Sequence, residues 1–290
     1  MTEPSLPVTF GVLAYGRDPR LHREATVALL TIREFAPAAA DVVLFTDHPH
    51  LYQWIAGHIT IDPLTAASLA AWRGPANDRF RPKLEALRTL SQGRTHAVLV
   101  DTDTMARGPL EPLVTHLQSG GFVLYEREYR VAAAPRRGDR LLKHEIVGKR
   151  WSHVLADEQT WMWNGGVIGV SGRHAGVADH ALRAFDELRQ ASTHFALEQL
   201  AYSIVFPAYG PLRAASDCFI HYWANRAWFD RRIDRFLSTA LMEQWTPRAA
   251  GGHLREAPIQ GALNGRLSSW QRHVRQLLRI EMDDDAERFD

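Results

Sequence analysis

One cysteine, Cys218, stands in 290 residues. That count excludes an internal disulfide framework and a CxxC zinc site, and it fits a reducing compartment. Long apolar runs are also missing. Those at 97–100 and 167–170 are strand-sized, far short of the roughly 20 residues that span a bilayer. Neither charge dominates: 34 Lys plus Arg against 33 Asp plus Glu leave a net +1, which argues against a dedicated nucleic-acid binder. Residues 1–7 carry acid and proline rather than a basic segment before an apolar one. No secretory leader is expected there, and the expectation is a cytoplasmic protein. There is no GxGxxG, Walker A loop, HExxH or GxSxG, and no solenoid-type repeat. Dinucleotide oxidoreductase, P-loop and serine-hydrolase chemistry lack their usual support.

What is present is a globular composition, 46% hydrophobic and 23% charged, able to bury a substantial core. Residues 8–14 and 41–46 are short apolar runs ended by Tyr15-Gly16 and Asp47-His48-Pro49, and read as buried strands. Residues 21–35 carry helical spacing, 51–56 begin a further helix, and 81–90 form another with Pro82 in its first turn. Residues 96–100 are a third strand. This order implies a mostly parallel sheet covered on both faces. Beyond it, 122–125 and 165–170 read as strands, 127–150 as a long loop with some helix, and 178–190 and 195–202 as helices. Helices are expected at 232–244 and 266–281, separated by a Gly/Pro-bearing connector at 247–265. The expected organisation is a main domain of residues 1–229 and a C-terminal helical extension, 230–290.

The most informative segment is Ala97-Val98-Leu99-Val100-Asp101-Thr102-Asp103-Thr104. An apolar strand ends in two aspartates, and in open α/β sheets ligands sit beyond the carboxyl ends of strands. Two carboxylates side by side are costly unless a cation neutralises them, and Mg²⁺ or Mn²⁺ prefers such oxygen ligands. Two enzyme classes fit. Haloacid-dehalogenase-like phosphatases use D-x-D-x-T, with Asp101 as nucleophile and Asp103 as acid/base. Glycosyltransferases of the GT-A fold use D-x-D to hold a metal on a nucleotide-sugar diphosphate. The phosphatases place the pair near the start of the domain, and the late acidic run Asp283-Asp284-Asp285 follows no strand.

Further motifs favour the transferase: Asn164-Gly165-Gly166-Val167, then Glu198-Gln199, then His221. With these in order, residues 8–228 resemble a GT-A glycosyltransferase, similar to the glycogenin and lipopolysaccharide galactosyltransferase group. The resemblance implies a Rossmann-like, mostly parallel mixed sheet flanked by helices. It departs at the end, where the group has His, Gly and Lys-Pro-Trp and this chain reads His221-Tyr222-Trp223-Ala224-Asn225-Arg226.

By that resemblance Asp103 binds Mn²⁺ or Mg²⁺ directly, His221 joins it, and Asp101 contacts ribose or the metal through water. Ala14, Tyr15 and Asp47 hold the base and ribose. Arg79, Lys83 and Arg226 are candidate diphosphate partners. Asn164, Gly165 and Gly166 face the donor sugar, with Glu198 and Gln199 as catalytic candidates. Glu198 serves an inverting or a retaining scheme; the resemblance leans to retention. The implied donor is a UDP-sugar, and the acceptor a sugar, a lipid-linked group or a protein. Trp151, Trp161, Trp163, Trp223 and Trp228 fit an acceptor region built from 127–163, since aromatic faces stack on sugars. Residues 266–281, apolar on one face and arginine-bearing, suit either docking on protein or peripheral contact with an anionic membrane. An inactive nucleotide-sugar-binding protein is the remaining alternative.

Overall fold

The computed structural model describes residues 6–259 apart from 94, 136, 137 and 175. Strand β1 (Val8–Ala14) leads through helix α1 (Pro19–Phe35) to β2 (Asp41–Thr46). Asp18 caps α1, its carboxylate accepting from the Arg20 N–H. Next come β3 (Thr60–Pro63), α2 (Ala66–Arg73), α3 (Arg81–Leu90), β4 (His96–Val100), β5 (Thr104–Ala106) and α4 (Glu111–Gln118). The second half contains β6 (Phe122–Arg130), α5 (Arg140–Ile146), β7 (Arg150–Trp151), β8 (Val154–Leu155), β9 (Trp161–Val170), α6 (Val177–Ala191) and α7 (Leu197–Val205). It closes with β10 (Leu212–Ala214), β11 (Phe219–His221), α8 (Arg226–Met242) and α9 (Pro247–Glu256).

Seven strands form one sheet in the order β10-β6-β9-β4-β1-β2-β3. The pairs β3-β2, β2-β1, β1-β4 and β10-β6 are parallel, and β9 alone runs antiparallel to its neighbours β4 and β6. This is the Rossmann-like, mostly parallel mixed sheet flanked by helices that the resemblance implies. One core lies under α1, α4, α8 and α9 and the other under α3, α6 and α7. Central strands β1 and β4 are therefore apolar on both faces, which is why they stand out in the sequence.

Several segments differ from expectation. Residues 51–56 form no α-helix; they lie around two 3₁₀ turns, Pro49–Tyr52 and Ala56–His58. The 127–150 loop is largely ordered, since β6 continues to Arg130 and α5 and the start of β7 follow. The 247–265 connector contains α9, capped by Thr246, with Ala250, Gly251 and Leu254 buried. Gly251 lies against Leu30 and Glu34 of α1; a closely packed glycine, read alone, resembles a linker. Helix α8 begins at Arg226, so it runs through the expected boundary at 229/230. Phe229, Ile233, Ala250 and Leu254 share one core with β1 and α1. The expected helix at 266–281 lies outside the described residues. Among the described residues, no helix is long and apolar enough to cross a membrane.

Candidate active site

The backbone of β4 makes one more sheet bond beyond Val100, from Asp101 N–H to Gly166 O at 2.9 Å. The chain then turns through Thr102 and Asp103 and enters β5. Strand β11 pairs antiparallel with β5, placing His221 opposite Thr104. That register carries a residue from late in the chain beside the aspartates: His221 Nε2 lies 3.2 Å from Asp103 Oδ1. One ligand atom from each of Asp101, Asp103 and His221 falls within 4.8 Å of the others. Two carboxylates and an imidazole are a fitting donor set for Mn²⁺ or Mg²⁺.

The electrostatics separate the two aspartates. Burial pushes the Asp101 carboxyl up, only partly offset by Lys83, and the Asp103 charge adds to the rise. Burial also opposes ionisation of Asp103, but the hydrogen bond and charge of His221, with Arg226 and Lys83, outweigh it and hold that carboxyl well below the usual range.

Lys83, on α3, is engaged within the protein. Its ammonium lies 2.7 Å from Asp101 Oδ1, donates to Asp101 Oδ2 and Gly165 O at 2.8 Å each, and pairs with Glu198 Oε1 at 2.8 Å. Two of its three protons are hydrogen-bonded and the ion pair with Glu198 takes its remaining side, so in this arrangement the ammonium is turned to protein groups rather than to the expected phosphate. Arg226 is likewise engaged: its guanidinium binds buried Glu24 through Nε at 2.6 Å and through Nη2, and Nη1 stands 3.8 Å from Asp103. Glu24, on the buried side of α1, escaped the sequence reading. A carboxylate three residues after Leu21 and four before Ala28 was the available signal.

Asn164 sits on β9 beneath His221. Its Oδ1 accepts from His221 Nδ1 and from Gly166 N–H, both at 2.9 Å, while its Nδ2 donates to Glu128 Oε1 at 3.3 Å. A Cβ added to Gly166 would lie 2.3 Å from His221 Nδ1, and one on Gly165 would lie 3.0 Å from Glu198 Oε1. These glycines make room for protein side chains. Gln199 is half-buried, and its Oε1 accepts from Gly165 N–H at 3.2 Å.

At the other rim, Asp47 accepts from Gly16 N–H at 3.0 Å and from His48 Nδ1 at 2.7 Å, tying the ends of β1 and β2 together. The Tyr15 hydroxyl donates to Arg79 O at 2.7 Å, and Arg73 lies 5.5 Å from the Tyr15 ring centroid. Arg79 itself is exposed and stacked on Phe80. The methyl of Ala14 is fully buried in the core.

No family model matches the sequence, and no curated protein does. The chain is similar to solved glycosyltransferases. It is 12% identical to mouse xyloside xylosyltransferase 1 in its apo form, over 72% of this chain and 85% of that one, with a TM-score of 0.47. Against the galactosyltransferase LgtC in complex with donor and acceptor sugar analogs, identity is 10% over 71% of this chain and 73% of that one, with a TM-score of 0.46. Against the glycosyltransferase GlyE of Streptococcus pneumoniae TIGR4, identity is 9% over 82% of this chain and 51% of that one, with a TM-score of 0.44. Likeness at this level carries no argument about activity, which rests on the side chains.

His22, Asp47 and His48 also cluster closely enough to suggest a metal site. Both His22 nitrogens are already used, Nδ1 with the Tyr52 hydroxyl at 2.8 Å and Nε2 with Gly16 O at 2.6 Å. That cluster is a hydrogen-bonded latch between strand ends.

Proposed function

We propose that this chain transfers a glycosyl group from a nucleotide-sugar donor, a UDP-sugar first among them, to a sugar, lipid-linked or protein acceptor. The observation that carries the reading is the meeting of Asp101, Asp103 and His221 at the carboxyl end of β4, where ligands of α/β sheets bind. Asp103 and His221 would hold Mn²⁺ or Mg²⁺, with Asp101 as the outer partner. When bound, the metal supplies Lewis-acid stabilisation of the departing diphosphate. Lys83 sits between Asp101 and Glu198 as their shared counter-charge, and Arg226 holds the Asp103 side of the site against α1. Glu198 is buried and paired with the Lys83 ammonium; the half-exposed Gln199 is the better-placed neighbour for the sugar. Tyr15, Gly16 and Asp47 form the base and ribose rim, and the β6–β9 ribbon with Trp161 and Trp163 the acceptor side.

The phosphohydrolase reading has less support, because both Asp101 carboxylate oxygens face Lys83. Calorimetric titration of UDP with and without Mn²⁺ tests the donor assignment. Tight binding only with Mn²⁺ is expected; no binding under either condition would remove the reading. Transfer from a bound donor to a panel of acceptors then separates an enzyme from an inactive binder.

A further inference from the structure

The sequence reading directs Asn164 at the donor sugar, and the geometry points elsewhere. We infer that Asn164 is a positioning residue for the metal: its carboxamide oxygen holds the Nδ1 proton of His221 and so turns the Nε2 lone pair toward the cation. The inference rests on the metal-dependent reading of the site.

Three contacts fix the amide. Gly166 N–H can only donate, so the Asn164 atom 2.9 Å away must be its oxygen. The amide nitrogen then faces Glu128 Oε1 at 3.3 Å, as a donor should. The same oxygen is 2.9 Å from His221 Nδ1, so Nδ1 carries a proton. The nitrogen left for a cation is Nε2, the one beside Asp103 at 3.2 Å. A ligand histidine is commonly oriented by a hydrogen bond from its other ring nitrogen. The ring is also held in place, since Tyr125 packs edge-on at 5.3 Å and its hydroxyl accepts from the His221 backbone N–H at 3.2 Å. With Asn164 only 6% exposed and both ends of its amide occupied, little of it remains to touch a sugar.

Mn²⁺ alone, titrated into the full chain and followed by the loss of its free EPR signal, tests this. Asn164→Ala should weaken Mn²⁺ binding about 10- to 100-fold, whereas Glu128→Gln, which keeps an acceptor for the Asn164 amide nitrogen and leaves its oxygen on His221, should stay within about threefold of wild type. Asp103→Asn, run in parallel, should abolish binding. An independent readout needs no variant: in the Mg²⁺-loaded wild type, the ¹⁵N spectrum of His221, assigned with His221→Gln, should show a protonated Nδ1 and an unprotonated Nε2. Wild-type Mn²⁺ affinity in Asn164→Ala, with binding lost in Asp103→Asn, would overturn the role of Asn164 and leave the metal reading standing. Unchanged Mn²⁺ binding in Asp103→Asn would overturn both. A protonated Nε2 in the Mg²⁺-loaded spectrum would also overturn the inference.

Discussion

Gly166 exposes the link between a small residue and the site most sharply. An alanine methyl there would lie 2.3 Å from His221 Nδ1, too close for any contact. Gly166→Ala should displace the imidazole, lower the metal-free unfolding free energy by about 1–3 kcal/mol, and weaken Mn²⁺-dependent nucleotide binding. Gly57→Ala, where an added Cβ meets nothing within 4 Å, is the control and should change neither. Urea unfolding and calorimetry on both variants check this. The motif residues were legible because an apolar strand ending in two aspartates is an unusual pattern. Two of their partners were not, since Glu24 and Glu128 reach the site from α1 and β6, and only packing reveals those approaches. The expected phosphate role of Lys83 presumed a free ammonium, whereas the fold supplies it with two carboxylates and a carbonyl.

Helix α3 brings a single cation between two carboxylates, and that makes Lys83 a test at the scale of elements. Lys83→Met would leave Asp101 and Glu198 buried without their counter-charge. Breaking a buried pair this way costs about 3–5 kcal/mol. The deficit should be largest near pH 8 and shrink toward pH 5, because burial already raises the Asp101 carboxyl and losing the ammonium, which opposes that rise, raises it further. A raised carboxyl contributes stability at low pH that is lost as pH rises. Urea midpoints of wild type and variant across this range decide it; a deficit independent of pH would contradict the account.

Helix α1 carries a second buried carboxylate with the same sign of effect. Burial raises Glu24 from 4.5 to about 7, although Arg226 pulls the other way. The folded state therefore holds this proton more tightly than the unfolded chain. Its contribution is full below about pH 4.5 and declines by roughly 3 kcal/mol as pH rises to about 7. Glu24→Gln removes that decline, so stability of the variant minus that of wild type should grow between pH 4.5 and 7. A flat difference across the window would show that Glu24 does not titrate there.

At the scale of the whole molecule, the central strands and long amphipathic helices could be read directly. β1, β2 and β4 are apolar and bounded by turn residues, and α1 and α3 bury one clear stripe. The edge and the periphery could not. β3 is mostly exposed and ends at Pro63, and α2 buries only Leu69, so neither has a pattern to detect. α9 hides its helical character behind Gly251 and Gly252 and is held by packing on α1, with Arg255 paired to Glu34 at 2.7 Å. The antiparallel β9 and the β5–β11 pairing are long-range consequences of topology. The β5–β11 pairing sets His221 opposite Thr104, just beyond the end of β4.

The claim at the centre of this account is that Asp103 holds a cation on which nucleotide binding depends. Calorimetric titration of UDP into wild type and Asp103→Asn, each with and without Mn²⁺, tests it most directly. The asparagine keeps the size of the side chain and removes its charge. The metal-free melting temperature should fall modestly, because His221 and Arg226 stabilise the ionised Asp103 carboxyl in the folded protein and the variant loses that pairing. Mn²⁺-dependent UDP binding should disappear, with any transfer rate falling by about two to four decades. An Asp103→Asn variant that binds UDP at wild-type affinity, still only with Mn²⁺ present, would contradict it.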